Sequence, residues 1–385
     1  MPVVDESGAL KRFMRPTAMA GDAYDARHHD YSWQRRNLAR LMSNEYPLPP
    51  SPAVIAAAVT ALSESNLYPH SGEALRDALA EYADADPRSI VLGNGSTELL
   101  DVVARIFLGP GDEAIIPVPT YAFYETQTRL QMATPVLVDL SENFELDLGE
   151  IRSRVTDKTK MIFLCSPNNP TGNAWSGQQL AELLEPGLPV VVDQAYLECG
   201  HAESFAPMVR THPNLIVMRT MSKGFGLAGL RIGYAVADPF VAATITRMRI
   251  PFSVSLVALR AATAALADLP DLAHRRDYVV RERERVHAAL AKNPSVRPYA
   301  SEGNFVLIDI SGMGLTAEEV VDRLQEEGLL LRAMKAHRLR GAFVRMTVGT
   351  TDENDRFLAA LGRLQEPGQT RSRPLEPADA GAGAG

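Results

Sequence analysis

The chain has 385 residues, 46% of them hydrophobic and 22% charged, and 39 basic against 47 acidic side chains leave a net charge of −8. That balance suits a globular enzyme and excludes a basic nucleic-acid surface, and the length allows two domains of ordinary size. No apolar run reaches the roughly 18 residues of a membrane span, no signal-peptide order opens the chain, and Cys165 and Cys199 show no metal-ligand spacing, so a reducing, cytoplasmic setting without a membrane or metal is expected.

Residues 1–45 read as an N-terminal arm, polar from Arg27 to Arg40 but carrying Tyr24, Tyr31 and Trp33, aromatics that suggest packing over a substrate mouth or a partner subunit. His28 and His29 are adjacent, point apart in regular structure and read as solvated residues with no metal role. From Ser51 helical and strand patterns alternate. Pro52–Leu62, Glu73–Tyr82 and Thr97–Leu108 are predicted helices, and 90–92, 114–118, 135–138, 161–165, 190–193, 214–218 and 230–236 predicted strands. Such continuous apolar runs suit strands buried on both faces of a mainly parallel sheet, which places a large domain over 46–255. After Pro251 come two helical stretches, Leu256–Leu266 and Asp271–Leu290, then strands at 305–310, 329–332 and 343–348 around a helix at Ala317–Glu326, a smaller α+β domain over 256–365. The tail 366–385, rich in Pro, Gly and Ala, lacks the apolar content to fold and is expected to be disordered.

Between Arg219 and Arg231 one lysine, Lys223, stands among hydroxyls and small residues. A lysine becomes a nucleophile near neutral pH through desolvation or a neighbouring cation, and a Schiff base to a carbonyl cofactor is the commonest use of such a residue. Arg231, Thr220 and Ser222 are then candidates to hold that cofactor's phosphate. Gly224, Gly226 and Gly229 spell G-x-G-x-x-G, but a dinucleotide fingerprint needs a helix where 230–236 reads as a strand. Asn94–Thr97, between a strand and a helix, is either an anion site of free backbone N–H groups or a glycine turn with a serine cap. Asp193 closes a buried apolar run, where an unpaired charge would cost several kcal/mol, so it needs a cationic partner.

In their order these segments resemble the fold type I family of pyridoxal phosphate (PLP) enzymes, in particular the class I/II aminotransferases, from about Asn44 to Leu361. The resemblance implies an α/β fold with a large domain built on a mainly parallel seven-stranded sheet, plus a smaller α+β C-terminal domain. It implies PLP attached to Lys223, with Gly95, Ser96, Thr97, Thr220, Ser222 and Arg231 at the phosphate and Tyr121, from Pro119–Tyr121, stacked on the ring. Asn169, before Pro170–Gly172, and Tyr196 would bond the ring oxygen, and Asp193 would keep the ring nitrogen protonated, so that the ring acts as an electron sink. Lys223 would also move the proton between substrate carbon and cofactor carbon. Tyr68 matches a tyrosine that reaches the cofactor phosphate of the partner subunit, which implies a homodimer with shared sites.

Arg345 matches the arginine that binds the substrate's acidic group, with Asn169 and Tyr121 beside it, and Arg332 supplies a second guanidinium from a neighbouring strand. Together with Ser43–Pro47 and Asn304–Phe305 this pair is similar to the histidinol-phosphate aminotransferases, which implies a small amino donor bearing a phosphate, 2-oxoglutarate as acceptor and a place in histidine biosynthesis. There are departures: Phe13–Pro16 is a poor match to the Leu-x-Pro-Tyr segment of that group, Gln194 stands where an acid is usual, and Cys199 where an aromatic is usual. They leave room for an aromatic or other amino-acid transaminase, or for a decarboxylase or oxidase on the same frame. A non-catalytic binding protein of this fold would be expected to have lost one of Lys223, Asp193, Asn169, Tyr196 or Arg231, and all five are kept.

Overall fold

The structure, a computed structural model, describes residues 10–18, 27–336 and 338–364. Tyr24 and the tail 366–385 lie outside the described residues. Two helices, α1 (Arg27–Gln34) and α2 (Pro52–Leu62), flank a two-residue strand, β1 (Ala39–Arg40), and α3 (Glu73–Ala83) follows. α2 starts where the sequence says it should, since Ser51 accepts from the Val54 amide and Pro52 takes the first helical position, where no N–H is needed.

The large unit continues as β2 (Ile90–Gly93), α4 (Gly95–Phe107), β3 (Glu113–Val118), α5 (Phe123–Leu130), β4 (Thr134–Asp139), α6 (Leu148–Ser153), β5 (Thr159–Cys165), α7 (Gly177–Leu184), β6 (Val190–Asp193), β7 (Leu215–Thr220) and β8 (Gly233–Ala237). Its sheet has seven strands in the order β2-β8-β7-β6-β5-β3-β4, and β8 alone runs against the others. Every residue of β2, β6, β7 and β8 is buried, the outcome expected when helices cover both faces of a sheet. With both faces covered, the open place is the edge where the parallel strands end, and ligands of such sheets bind there.

After α8 (Pro239–Met248), α9 (Leu256–Leu266) and α10 (Leu269–Leu290), the smaller unit comprises β9 (Arg297–Pro298), β10 (Phe305–Asp309), α11 (Ala317–Glu326), β11 (Leu329–Leu330), β12 (Arg332–Ala333), β13 (Phe343–Thr347) and α12 (Thr351–Arg363). Its four-stranded sheet has the order β12-β13-β10-β9 and its own apolar core. α10 begins two residues earlier than the pattern suggests because Asp268 accepts from the Asp271 amide at 3.2 Å.

Two expectations about strands need correction. The strand expected over 329–332 is two: β11 pairs in parallel with β1, whereas β12 pairs with β13, and the chain changes sheets at buried Leu331. The strand expected from Leu230 starts only at Gly233, because Ala228–Leu230 is a short 3-10 turn and Arg231 has φ 54. The glycines 224, 226 and 229 therefore open no α-helix, and the dinucleotide reading falls on geometry as well as on pattern. Among the described residues, no helix is long and apolar enough to cross a membrane, and no cluster of three His, Cys, Asp or Glu is arranged for a metal ion.

Candidate active site

Most of the predicted cofactor residues stand just past the strand ends of the large sheet, along one edge of it. At the end of β2 the chain turns through Gly95, φ 77, into α4, whose cap Asn94 makes no side-chain bond to the first turn. The serine-cap alternative is thereby removed, and the first N–H groups of α4 remain for an anion. From the other side Thr220 Oγ1 donates to Ser222 Oγ at 2.9 Å, and Arg231 Nη1 donates to the same hydroxyl at 3.3 Å. The fit is close enough to dictate residue types, since a Cβ on Gly95 would lie 2.5 Å from Arg231 Nη2 and a Cβ on Gly233 2.5 Å from the Ser96 amide. A guanidinium, hydroxyls and a helix N-terminus form a cradle that fits a phosphate. Thr97, partly exposed in the first turn of α4, is carried on the same helix end.

Two outcomes follow from the cradle. Arg231→Ala is expected to weaken cofactor retention about tenfold or more while leaving the fold intact, measured as the cofactor dissociation constant beside the melting temperature. Gly233→Ala drives a methyl into backbone of α4 and β7, and is expected to cost about 1–3 kcal/mol of stability, read from chemical denaturation.

Asp193 ends β6 fully surrounded by protein. Its Oδ2 accepts from the Tyr124 hydroxyl at 2.9 Å and its Oδ1 from the Ala195 amide at 3.0 Å, yet burial still pushes its pKa up to about 6. The attraction of Lys223 is the weakest influence on it. A buried carboxylate with so little cationic help fits the protonated ring nitrogen of PLP. Lys223, just past β7, donates from Nζ to the Ser43 carbonyl at 3.0 Å. Part of this side chain still meets solvent, but desolvation first, and Arg345 second, lower its pKa to about 8, within reach of a neutral nucleophile. Tyr196 lies beneath it, its ring centre 5.8 Å from Nζ, and burial raises the phenol's pKa.

Arg345 and Arg332 are direct cross-strand partners in β13 and β12, so both side chains leave the same face of the small sheet. Arg345 is buried, donates to the Asn169 side chain and, at 2.9 Å, to the Met42 carbonyl, and lies over the Phe305 ring. Tyr121, at the end of β3, keeps 36% of its surface exposed, packed against Phe123 and edge-on to Tyr124. Tyr68 is not at this edge: it is 83% exposed, and its ring packs against Phe252 at 5.0 Å on the outer surface.

The sequence reading missed several residues. Asn44, φ 53 and 1% exposed, donates to the Tyr196 hydroxyl at 2.9 Å, accepts from Thr347 Oγ1 at 3.0 Å, and through its carbonyl accepts from Asn304 at 3.0 Å. Its only signal in the sequence was its place inside Ser43–Pro47. Tyr124, which holds Asp193, was legible only as an aromatic three residues after Tyr121. His28 and His29, expected to be solvated, are half-buried with ring centres 4.2 Å apart, because α1 packs back on the small unit and His28 meets Arg332.

Comparison with known proteins agrees with this geometry. The profile of the family described as Aminotransferase class I and II matches residues 36–361. The chain is 36% identical to the histidinol-phosphate aminotransferase of Methanothermobacter thermautotrophicus over 87% of this chain and 91% of that one. It is 38% identical to the corresponding enzyme of Methanosarcina mazei over 86% and 89%. Among solved structures, histidinol-phosphate aminotransferase from Sinorhizobium meliloti, in complex with pyridoxal-5'-phosphate, superposes with a TM-score of 0.82 at 27% identity, covering 91% of this chain and 97% of that one. With the expected sheet, the phosphate cradle and the buried carboxylate in place, the chain belongs to the class I and II aminotransferases and is a PLP-dependent enzyme of fold type I.

Proposed function

We propose that this aminotransferase moves the amino group of histidinol phosphate to a 2-oxo acid such as 2-oxoglutarate, a step of histidine biosynthesis in the cytoplasm. The observation that carries the reading is the opposed pair Arg332 and Arg345, since two guanidiniums on one face suit a dianionic phosphate better than a single carboxylate does. The names of the Methanothermobacter and Methanosarcina relatives support it, and Cys165 and Cys199, both buried free thiols, suit a reducing compartment.

In this reading PLP, when bound, supplies an electron sink for the charge left as the substrate carbon loses its proton. Lys223 would hold the cofactor and serve as the group that moves the proton, a role suited by its pKa, lowered to about 8. Asp193 would keep the ring nitrogen protonated, Tyr196 and Asn169 would bond the ring oxygen, and Tyr121 would stack on the ring. Gly95, Ser96, Thr97, Thr220, Ser222 and Arg231 take the phosphate. Tyr68 serves the neighbouring subunit's phosphate in a homodimer; exposed Ile55, Val59, Leu62, Leu67, Ile250 and Phe252 support burial of that surface against a second copy.

The test is a half-reaction. Purified enzyme loaded with PLP is mixed with L-histidinol phosphate or with each of a panel of amino acids, and the change in the cofactor's visible absorbance is followed. Conversion at micromolar histidinol phosphate, with amino acids far weaker, is the expected result; conversion by an amino acid alone would overturn the assigned donor. That second donor class is favoured by one observation, the burial of Arg345 against Asn169, which suits a monoanionic carboxylate. Sedimentation that gives a monomer at assay concentrations would refute the shared site.

A further inference from the structure

Helix α1 is held at both ends. At its C-terminal end Ser32 meets the Arg40 guanidinium, Arg36 and Arg40 lie over the Trp33 ring at 3.9 and 5.4 Å, and Arg40 grips Glu45 through bonds of 2.9 and 2.7 Å. At its N-terminal end His28 Nε2 lies 3.3 Å from Arg332 Nη1. A guanidinium can only donate, so Nε2 accepts, and the ring's proton is on Nδ1.

This contact bears on the anion end of the pocket, because Arg332 is the cross-strand partner of Arg345. Among the described residues, the bond to His28 is the one hydrogen bond of the Arg332 guanidinium, and it engages a single corner of the fork. An unheld arginine loses rotamer entropy when it binds an anion, and a side chain already fixed at one corner has less to lose. We propose that His28 is a positioning residue that sets the Arg332 fork for a dianionic group on the amino donor, so that preference for a phosphate-bearing donor depends on the N-terminal helix. The inference rests on the donor assigned above. It concerns a residue outside the motifs that carry the resemblance, in the segment where the Leu-x-Pro-Tyr match fails.

The experiment compares L-histidinol phosphate with L-histidinol, which lacks the phosphate, in the half-reaction of the PLP-loaded enzyme. For His28→Phe the half-saturating concentration of histidinol phosphate is expected to rise about tenfold, the size of one well-oriented hydrogen bond to a charged group, with the limiting rate unchanged. L-Histidinol should be unaffected, and His28→Gln, whose amide oxygen can still accept from Arg332, should restore tight binding. Equal changes for both donors, an unchanged response to the phosphate, or a Gln variant as poor as Phe would each overturn the role. If the wild-type enzyme ignores histidinol phosphate, the donor assignment has failed on its own, and the preferred donor is compared with its analogue lacking the acidic group. An effect of His28 confined to the acid-bearing member then supports the positioning role, and its absence refutes it. Should His28→Phe fail to fold, His28→Ala makes the same comparison.

Discussion

Lys223→Ala is expected to abolish the visible absorbance of covalently attached cofactor and to lower transamination by at least about 10^4-fold, since it deletes both the attachment point and the group that carries the proton. The melting temperature should change little, because among the described residues the side chain's one hydrogen bond is to the Ser43 carbonyl. The wild-type chain offers a second reading of the same residue. Burial lowers the Lys223 pKa to about 8, so recombination of cofactor-free enzyme with PLP should accelerate as pH rises through that value and level off above it. A rate that keeps rising to pH 10 would mean an ordinary exposed lysine.

Asp193→Asn should be almost as damaging, on the order of 10^3-fold in rate, because the amide keeps the contact with Tyr124 but carries no charge to hold the ring nitrogen protonated. The same substitution has an opposite effect on stability in the absence of cofactor. Asp193 has a folded-state pKa raised to about 6, against roughly 3.9 for the unfolded chain, so its burial costs nothing below about pH 4 and costs most above pH 6. Cofactor-free Asp193→Asn is therefore expected to melt higher than the parent at pH 7, with the difference closing as pH falls toward 4. A parent that is the more stable at pH 7 would show that the carboxylate is already compensated without PLP.

The large sheet was legible because its strands are continuous apolar runs, a pattern that only burial on both faces demands, and the cofactor residues were legible because they stand at the ends of those runs. The rest depended on contacts between distant segments. Asn44 draws its partners from Tyr196, Asn304 and Thr347, and no local period announces a residue whose bonds lie so far along the chain. The division of 329–332 between two sheets was hidden because Leu329, Leu330 and Leu331 are equally apolar, and only the choice of partner separates them. His28 was misread for the opposite reason: a polar stretch looked solvated, while Arg332, the residue that brings it in, lies about 300 positions away.

The parallel pairing of Ala39–Arg40 with Leu329–Leu330 also governs the order in which the molecule can be completed. During synthesis the early strand waits for a partner about 290 residues downstream, on the order of tens of seconds at ordinary elongation rates. Throughout that interval Leu41 and Met42, buried in the finished protein, have nothing from the later segment to cover them. Leu41 and Met42 are thus open to aggregation until the strands of the small unit are made and close the fold over them.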